Sequence, residues 1–263
     1  MTEPQASPDP TRRFSDRVEN YVRYRPGYPE EILQTLRAET GLSPASSVAD
    51  LGSGTGISAE LLLREGCTVY AVEPNAEMRA AAEARLGENP GFHSVAGTAE
   101  ATTLPERSVD LVTAGQAFHW FDIPRTRAEC LRILQPGGWA TLFWNVRRTG
   151  STPFLRAYEE LLLTYGTDYA RVRHENVGPD VLGEFFGPGG YRTAVFFNVQ
   201  SFDLEGLTGR LLSSSYTPAP GHPNHAPMLE ELTRIFHTSQ KEGRVRFEYD
   251  TEMFYGRPEV TDR

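Results

Sequence analysis

Val48-Ala49-Asp50-Leu51-Gly52-Ser53-Gly54-Thr55-Gly56, followed by Val69-Tyr70-Ala71-Val72-Glu73-Pro74, is the stretch whose reading decides the fold. An apolar strand breaks into a glycine turn and a helix, and about twenty residues on a second strand ends in a carboxylate. Gly52 and Gly54 lack a Cβ, so the backbone can turn sharply and come close to a ligand. Asp50 can accept hydrogen bonds from the loop or from a ligand ammonium group. Glu73, at the end of the next strand, suits both hydroxyls of a ribose. The pair is built to hold a nucleoside; the alternative for the glycines alone is a tight strand-to-helix turn with no ligand.

Outward from this stretch the pattern is periodic. The spacing of apolar residues and turn signals predicts strand 47–51, helix 56–65, strand 68–72, helix 75–86, strands 92–96 and 109–114, helix 124–134 and strand 138–145. Strands alternating with helices force parallel pairing through right-handed crossovers, so the fold class is α/β with a doubly wound, Rossmann-like sheet. The segment 151–190 breaks the rhythm with a helix near 153–164 and a turn-rich run through Gly187-Pro188-Gly189-Gly190. A strand at 191–201, helices near 203–213 and 226–241, and a closing strand at 244–255 follow.

Upstream, residues 1–13 are polar and proline-rich and are expected to form a disordered tail. Phe14, Val18, Tyr21 and Val22 fall at helical spacing, giving a helix over 14–24 that Arg25-Pro26-Gly27-Tyr28-Pro29 stops. Pro29 can open a second helix running to about Gly41. Residues 14–263 then form one expected domain: a helical lid at 14–45, a cofactor-binding half at 46–145 and a substrate half at 146–263.

Bulk composition narrows the partners. With 263 residues and 39% hydrophobic content the chain can bury one substantial core, and a net charge of −9 argues against a nucleic-acid surface. Cys67 and Cys130 are isolated thiols without framework spacing, and no apolar run reaches about 18 residues, so a soluble, cytoplasmic protein away from membranes is expected. His222-Pro223-Asn224-His225 lacks further ligands at metal spacing, and no metal site is expected.

Two cofactors compete for the glycine turn. Dinucleotide binding needs G-x-G-x-x-G, and the third glycine position here holds Ile57, which speaks against a nicotinamide-dependent oxidoreductase. With the strand-terminal Asp50, the run resembles motif I of the class I S-adenosylmethionine-dependent methyltransferases, and Glu73-Pro74-Asn75 resembles their acidic second motif. Gly97-Thr98-Ala99-Glu100 with Leu104-Pro105 and Ser108-Val109-Asp110-Leu111-Val112 resembles the third and fourth, and Leu134-Gln135-Pro136-Gly137-Gly138-Trp139 the turn into the fifth strand. These motifs cover roughly residues 46–145.

The resemblance implies a seven-stranded sheet with its last strand inserted antiparallel, and S-adenosyl-L-methionine as cofactor, leaving as S-adenosyl-L-homocysteine. It implies cofactor contacts from Asp50, Gly52, Ser53, Gly54, Glu73, Asn75, Thr98, Ala99 and Glu100, with Met78 either an apolar plate against the adenine or a core residue. Gln116-Ala117-Phe118-His119-Trp120 follows the fourth strand, where ligands of doubly wound sheets bind. His119 is a candidate base for a hydroxyl, amine or carbon acceptor, its alternative being loop packing.

The leader Tyr21-Val22-Arg23-Tyr24-Arg25-Pro26-Gly27-Tyr28-Pro29 and the Gln116–Trp120 loop resemble the trans-aconitate and ubiquinone-methylating neighbourhood, which implies a lid with Tyr21 and Arg25 over the cofactor. The expected function is methyl transfer to an O, N or C atom of a small molecule. A catalytically silent cofactor-binding module is the alternative from another class. Arg147, Arg148, Arg171, Arg173 and His174 form a local basic excess suited to a carboxylate, against the ordinary reading of a solvated face.

Overall fold

The computed structural model describes residues 23–167, 169 and 177–258. Seven strands, β1 (Ser47–Leu51), β2 (Thr68–Val72), β3 (Phe92–Val95), β4 (Val109–Gly115), β5 (Leu134–Arg147), β6 (Arg192–Phe202) and β7 (Val245–Gly256), form one sheet in the order β3-β2-β1-β4-β5-β7-β6. β1 pairs in parallel with β2 and β4, while β7 is antiparallel to both β5 and β6. The chain direction reverses outward from β1, and the crevice at that switch point is where ligands of such sheets bind.

Eight helices accompany the sheet among the described residues: α1 (Glu31–Thr40), α2 (Ile57–Arg64), α3 (Ala76–Leu86), α4 (Ile123–Ile133), α5 (Pro153–Tyr165), α6 (Pro179–Phe186), α7 (Leu204–Leu212) and α8 (His225–Ser239). Alternation along β1 sorts its side chains. Val48 faces a core with Ile32, Leu33 and Leu36 of α1 and Leu61 of α2; Ala49 and Leu51 face the opposite one with Cys130 and Ile133 of α4 and Phe185 of α6. Each fully buried Ile or Leu is worth about 1.5–3 kcal/mol relative to exposure, so the two cores fix the register of β1. A third core joins α5, α7 and α8 to Phe202, Phe247 and Tyr249 at the β6–β7 edge.

Local chemistry sets the helix starts. The side chains of Asn75, Asp122, Thr152 and Asp203 each accept a backbone amide from the first turn of α3, α4, α5 and α7. Gly41 closes α1 at φ 78°.

Two expectations need correction. The stretch expected to be turn-rich before Gly187 contains α6, opened by Pro179 and anchored by buried Leu182, Phe185 and Phe186. β5 begins at Leu134 rather than 138, because Leu134 pairs with Val109 before a register shift resumes pairing at Trp139 and Leu111. Of the helix expected over 14–24, only Arg23 and Tyr24 lie within the described residues, where both are helical. The expected tail at 1–13, together with Tyr21, Arg171, Arg173 and His174, lies outside the described residues. No helix among the described residues is long and apolar enough to cross a membrane.

Candidate functional site

The glycine turn between β1 and α2 is held from beneath and from the side. Gly52 and Ser53 donate their amides to Val72 O, at 2.9 and 3.1 Å, which ties the turn to the end of β2. Gly52, Gly54 and Gly56 all have positive φ, of 63, 56 and 83°. A Cβ at Gly52 would lie 2.7 Å from Ala117 Cβ, and one at Gly56 would lie 2.6 Å from Leu86 Cδ1. A Cβ at Gly54 would meet no atom within 4 Å. Two of the glycines are therefore demanded by packing, and the middle one leaves the backbone open toward the cleft.

Glu73 lies at the end of β2, nearly buried. Its Oε2 accepts the Gly54 amide at 2.9 Å and its Oε1 accepts the Asn75 amide at 2.9 Å. Burial pushes its carboxyl above the usual carboxylate range, against the pull of these two amides and the Arg79 charge. Asn75 caps α3, its Oδ1 accepting the Met78 amide, and Met78 itself is buried at 5% exposure.

Asp50 differs from the expectation. Its carboxylate is wholly buried behind the turn, where Oδ2 accepts from Ser58 Oγ at 2.6 Å and Oδ1 from Thr113 Oγ1 at 2.8 Å. Burial raises its pKa to about 6. Asp50 thus clamps the first turn of α2 to β4, and its oxygens point into the protein rather than toward a ligand.

The loop after β3 closes on itself through a pair of 3.2 Å backbone bonds between Thr98 and Ala101. Thr98 is exposed, Ala99 buried, and Glu100 half-buried with its Oε1 accepting the Asp122 amide at 3.0 Å. The loops after β3 and β4 are thereby joined.

Beyond β4 the chain takes a left-handed step at Gln116, φ 58°, where a non-glycine residue pays a conformational cost of about 1 kcal/mol or more. The Gln116 amide donates to Phe143 O and its side-chain Oε1 accepts the Asn145 amide at 2.7 Å. Phe118–Trp120 then form one turn of 3-10 helix; Phe118 is fully buried and His119 stacks against Trp120 at 4.7 Å. His119 and Gln116 both line a cavity of about 530 Å³.

That cavity lies at the carboxyl ends of β4 and β5, with Ile57 of α2 at the glycine-turn side and residues of β7 and the α7 end at the other. The leader crosses it. Tyr24 covers Gly209, Tyr28 meets Phe143 edge-on at 4.6 Å, and Gly27 O accepts from the side-chain amides of Asn145 and Asn198. Arg25 lines the cavity and donates to Ser213 O at 3.0 Å. Residues 24–28 are thus tied to β5, to β6 and to the end of α7.

Most of the far wall of the cavity carries no signal in the sequence. Asn145, Tyr169, Arg210, Tyr216, Tyr249 and Glu252 all line the cavity. Of the basic residues singled out, Arg147 is nine-tenths buried and pairs with Glu159, whereas Arg148 pairs with Asp250 nearer the surface. His222 and His225 hold turns through Asn224 N and Pro218 O, and no group of three metal-ligating side chains is found among the described residues.

A doubly wound sheet ordered 3-2-1-4-5-7-6, with a glycine turn at the end of β1 and a carboxylate at the end of β2, defines the class I methyltransferase fold. Residues 49–142 match the family described as "Methyltransferase domain". An uncharacterized methyltransferase of Mycobacterium tuberculosis is 40% identical over 139 residues, 53% of this chain and 54% of its own length. A malonyl-[acyl-carrier protein] O-methyltransferase of Marinomonas is 29% identical over 175 residues, 65% of this chain and 62% of that protein. The chain spans about half the length of the first of these curated relatives. Among solved structures, one provisionally named a type II methyltransferase from Anaeromyxobacter dehalogenans superposes with a TM-score of 0.65 at 23% identity. It covers 89% of this chain and 98% of its own, a likeness of fold.

Proposed function

We propose that the chain binds S-adenosyl-L-methionine at the glycine turn and transfers its methyl group to an O, N or C atom of a small molecule in the adjoining cavity. The observation that carries this reading is Glu73, held at the end of β2 by the Gly54 and Asn75 amides. A carboxylate has about four acceptor positions, and these amides use two, so both ribose hydroxyls can still donate to it. The open face of Gly54 fits the same ligand: a cradle that a Cβ would fill.

Gly52, Ser53 and Gly54 present backbone to the methionine portion, Asn75 and Met78 flank the ribose and adenine, and Thr98, Ala99 and Glu100 bound the base. Arg25 and Tyr21 come from the leader. Asp50 acts indirectly, by fixing the turn through Ser58 and Thr113.

The cofactor supplies an electrophilic methyl group on a sulfonium. Little covalent assistance is needed for an in-line displacement, so the work of the protein is to position the acceptor atom and exclude water. The leader over the cavity and the Phe118–Trp120 turn serve exclusion. His119, on the cavity wall, accepts the proton of a hydroxyl or amine acceptor.

Incubation with methyl-labelled S-adenosylmethionine and a panel of small hydroxyl, amine and carboxylate acceptors tests the reaction. Transfer to at least one acceptor is expected. Intact cofactor binding with no transfer to any acceptor would instead favour the catalytically silent module.

A further inference from the structure

Among the described residues, the far end of the cavity holds more positive than negative charge. Arg210 is 6% exposed, and its guanidinium bonds only to neutral groups, Ser214 Oγ at 3.1 Å and the Tyr249 hydroxyl at 3.4 Å, with the Phe247 ring 5.7 Å away. No ion pair to Arg210 occurs among the described residues. Arginine stays charged in any protein environment, and a buried charge without a counter-charge costs several kcal/mol.

Arg147, at the end of β5, has one counter-charge. Its Nη2 contacts Glu159 and donates to the Tyr169 hydroxyl at 2.8 Å, over the ring of Tyr158. Its Nη1 is buried with no hydrogen-bond partner, as is the indole Nε1 of Trp144. Both are obligate donors, and buried donors are almost always satisfied. Arg147, Arg210 and Trp144 all line the same cavity, as do the tyrosines 169, 216 and 249. Among the described residues, Arg25, Arg147 and Arg210 face two carboxylates here, Glu252 on the cavity wall and Glu159 paired with Arg147, which leaves one positive charge over.

We propose that Arg147 and Arg210, with the Trp144 indole, form an anion subsite that takes a carboxylate of the methyl acceptor. The inference rests on the methyl-transfer reading. One surplus charge matches one monoanion, and the planar guanidinium fork matches a carboxylate bidentately. Position separates this anion from the carboxylate of the cofactor. Arg147 ends β5 and Tyr249 lies on β7, two and three strands from β1 across the sheet, whereas Ile57, Gln116 and His119 line the side facing the glycine turn. The substrate class is therefore a small molecule with a carboxylate at one end and the nucleophilic atom toward His119.

The Tyr216 hydroxyl supports the same picture. Burial alone would raise its pKa, yet the charges of Arg210, Arg25 and Arg147 bring it below the ordinary tyrosine value. An uncompensated cationic field reaches it.

The test is calorimetric titration of the full chain, with and without saturating S-adenosylhomocysteine, by monocarboxylates from acetate to benzoate, each beside its primary amide, and by inorganic phosphate. At least one carboxylate is expected to bind saturably and its amide not at all. Arg210→Met is expected to weaken that carboxylate about tenfold or more while leaving S-adenosylhomocysteine affinity unchanged.

Equal binding of amides, no carboxylate binding, or preference for phosphate would overturn the proposal. So would an Arg210→Met variant that loses S-adenosylhomocysteine and keeps the carboxylate. If Arg210→Met does not fold, the carboxylate-against-amide comparison on the unmodified chain still decides. A chain that binds the carboxylate but never S-adenosylhomocysteine would refute the methyl-transfer reading and keep the anion subsite.

Discussion

Glu73 Oε2 accepts the backbone amide of Gly54 at 2.9 Å, so the carboxylate that ends β2 is bonded to the middle glycine of the turn that ends β1. One side chain thereby ties the end of β2 to the turn that ends β1. Glu73→Ala is expected to weaken S-adenosylhomocysteine binding by about 1–3 kcal/mol, the range for losing a charged hydrogen bond. Unchanged affinity by calorimetry would contradict the ribose assignment.

The glycines of the turn should separate by phenotype. Gly56→Ala places a Cβ 2.6 Å from Leu86 Cδ1 at positive φ, and a loss of about 1–3 kcal/mol in folding stability is expected. Gly54→Ala meets no protein atom, so it should cost only about 1 kcal/mol from its left-handed backbone while abolishing cofactor binding. Chemical denaturation and ligand titration of the two variants check the contrast; a Gly54→Ala protein that binds S-adenosylhomocysteine normally would place the ligand elsewhere.

Asp50 gives stability a pH dependence. Its folded pKa, raised to about 6 by burial, exceeds the unfolded one. The folded state therefore holds the proton more tightly, and stability from this group is full below about pH 4 and is lost as pH rises through about 6. Two pKa units correspond to about 3 kcal/mol. Asp50→Asn keeps partners for Ser58 and Thr113 and removes the titration, so its stability relative to the unmodified chain should improve between pH 4 and 6.5. A difference that stays flat across that window would contradict the assignment.

His119→Ala is expected to depress methyl transfer to a hydroxyl or amine acceptor by roughly 10²-fold or more while sparing cofactor affinity. Full activity in that variant would leave His119 as a packing residue against Trp120.

The sheet was legible in the sequence because each strand beside the glycine turn is short, apolar and bounded by glycine, proline or acidic residues. β1 and β2 fall at the expected residues for that reason. α6 was hidden by Gly183 within it and by the glycine- and proline-rich run after it, although Leu182, Phe185 and Phe186 do fall at helical spacing.

The cofactor side announced itself through backbone demands, which glycine and a strand-end carboxylate reveal locally. The acceptor side did not. Arg210 looks like any polar residue on an amphipathic helix, and only the folded chain shows it buried beside Phe247 and Tyr249 of β7. Asp50 was ambiguous for a related reason: a strand-end aspartate reads equally as a ligand group or an internal acceptor until its complete burial against Ser58 and Thr113, from two other elements, is seen.

Calorimetric titration of the purified chain with S-adenosylhomocysteine, and separately with NAD, tests the central claim most directly. The account predicts saturable S-adenosylhomocysteine binding and no NAD binding. NAD binding without S-adenosylhomocysteine binding would contradict it.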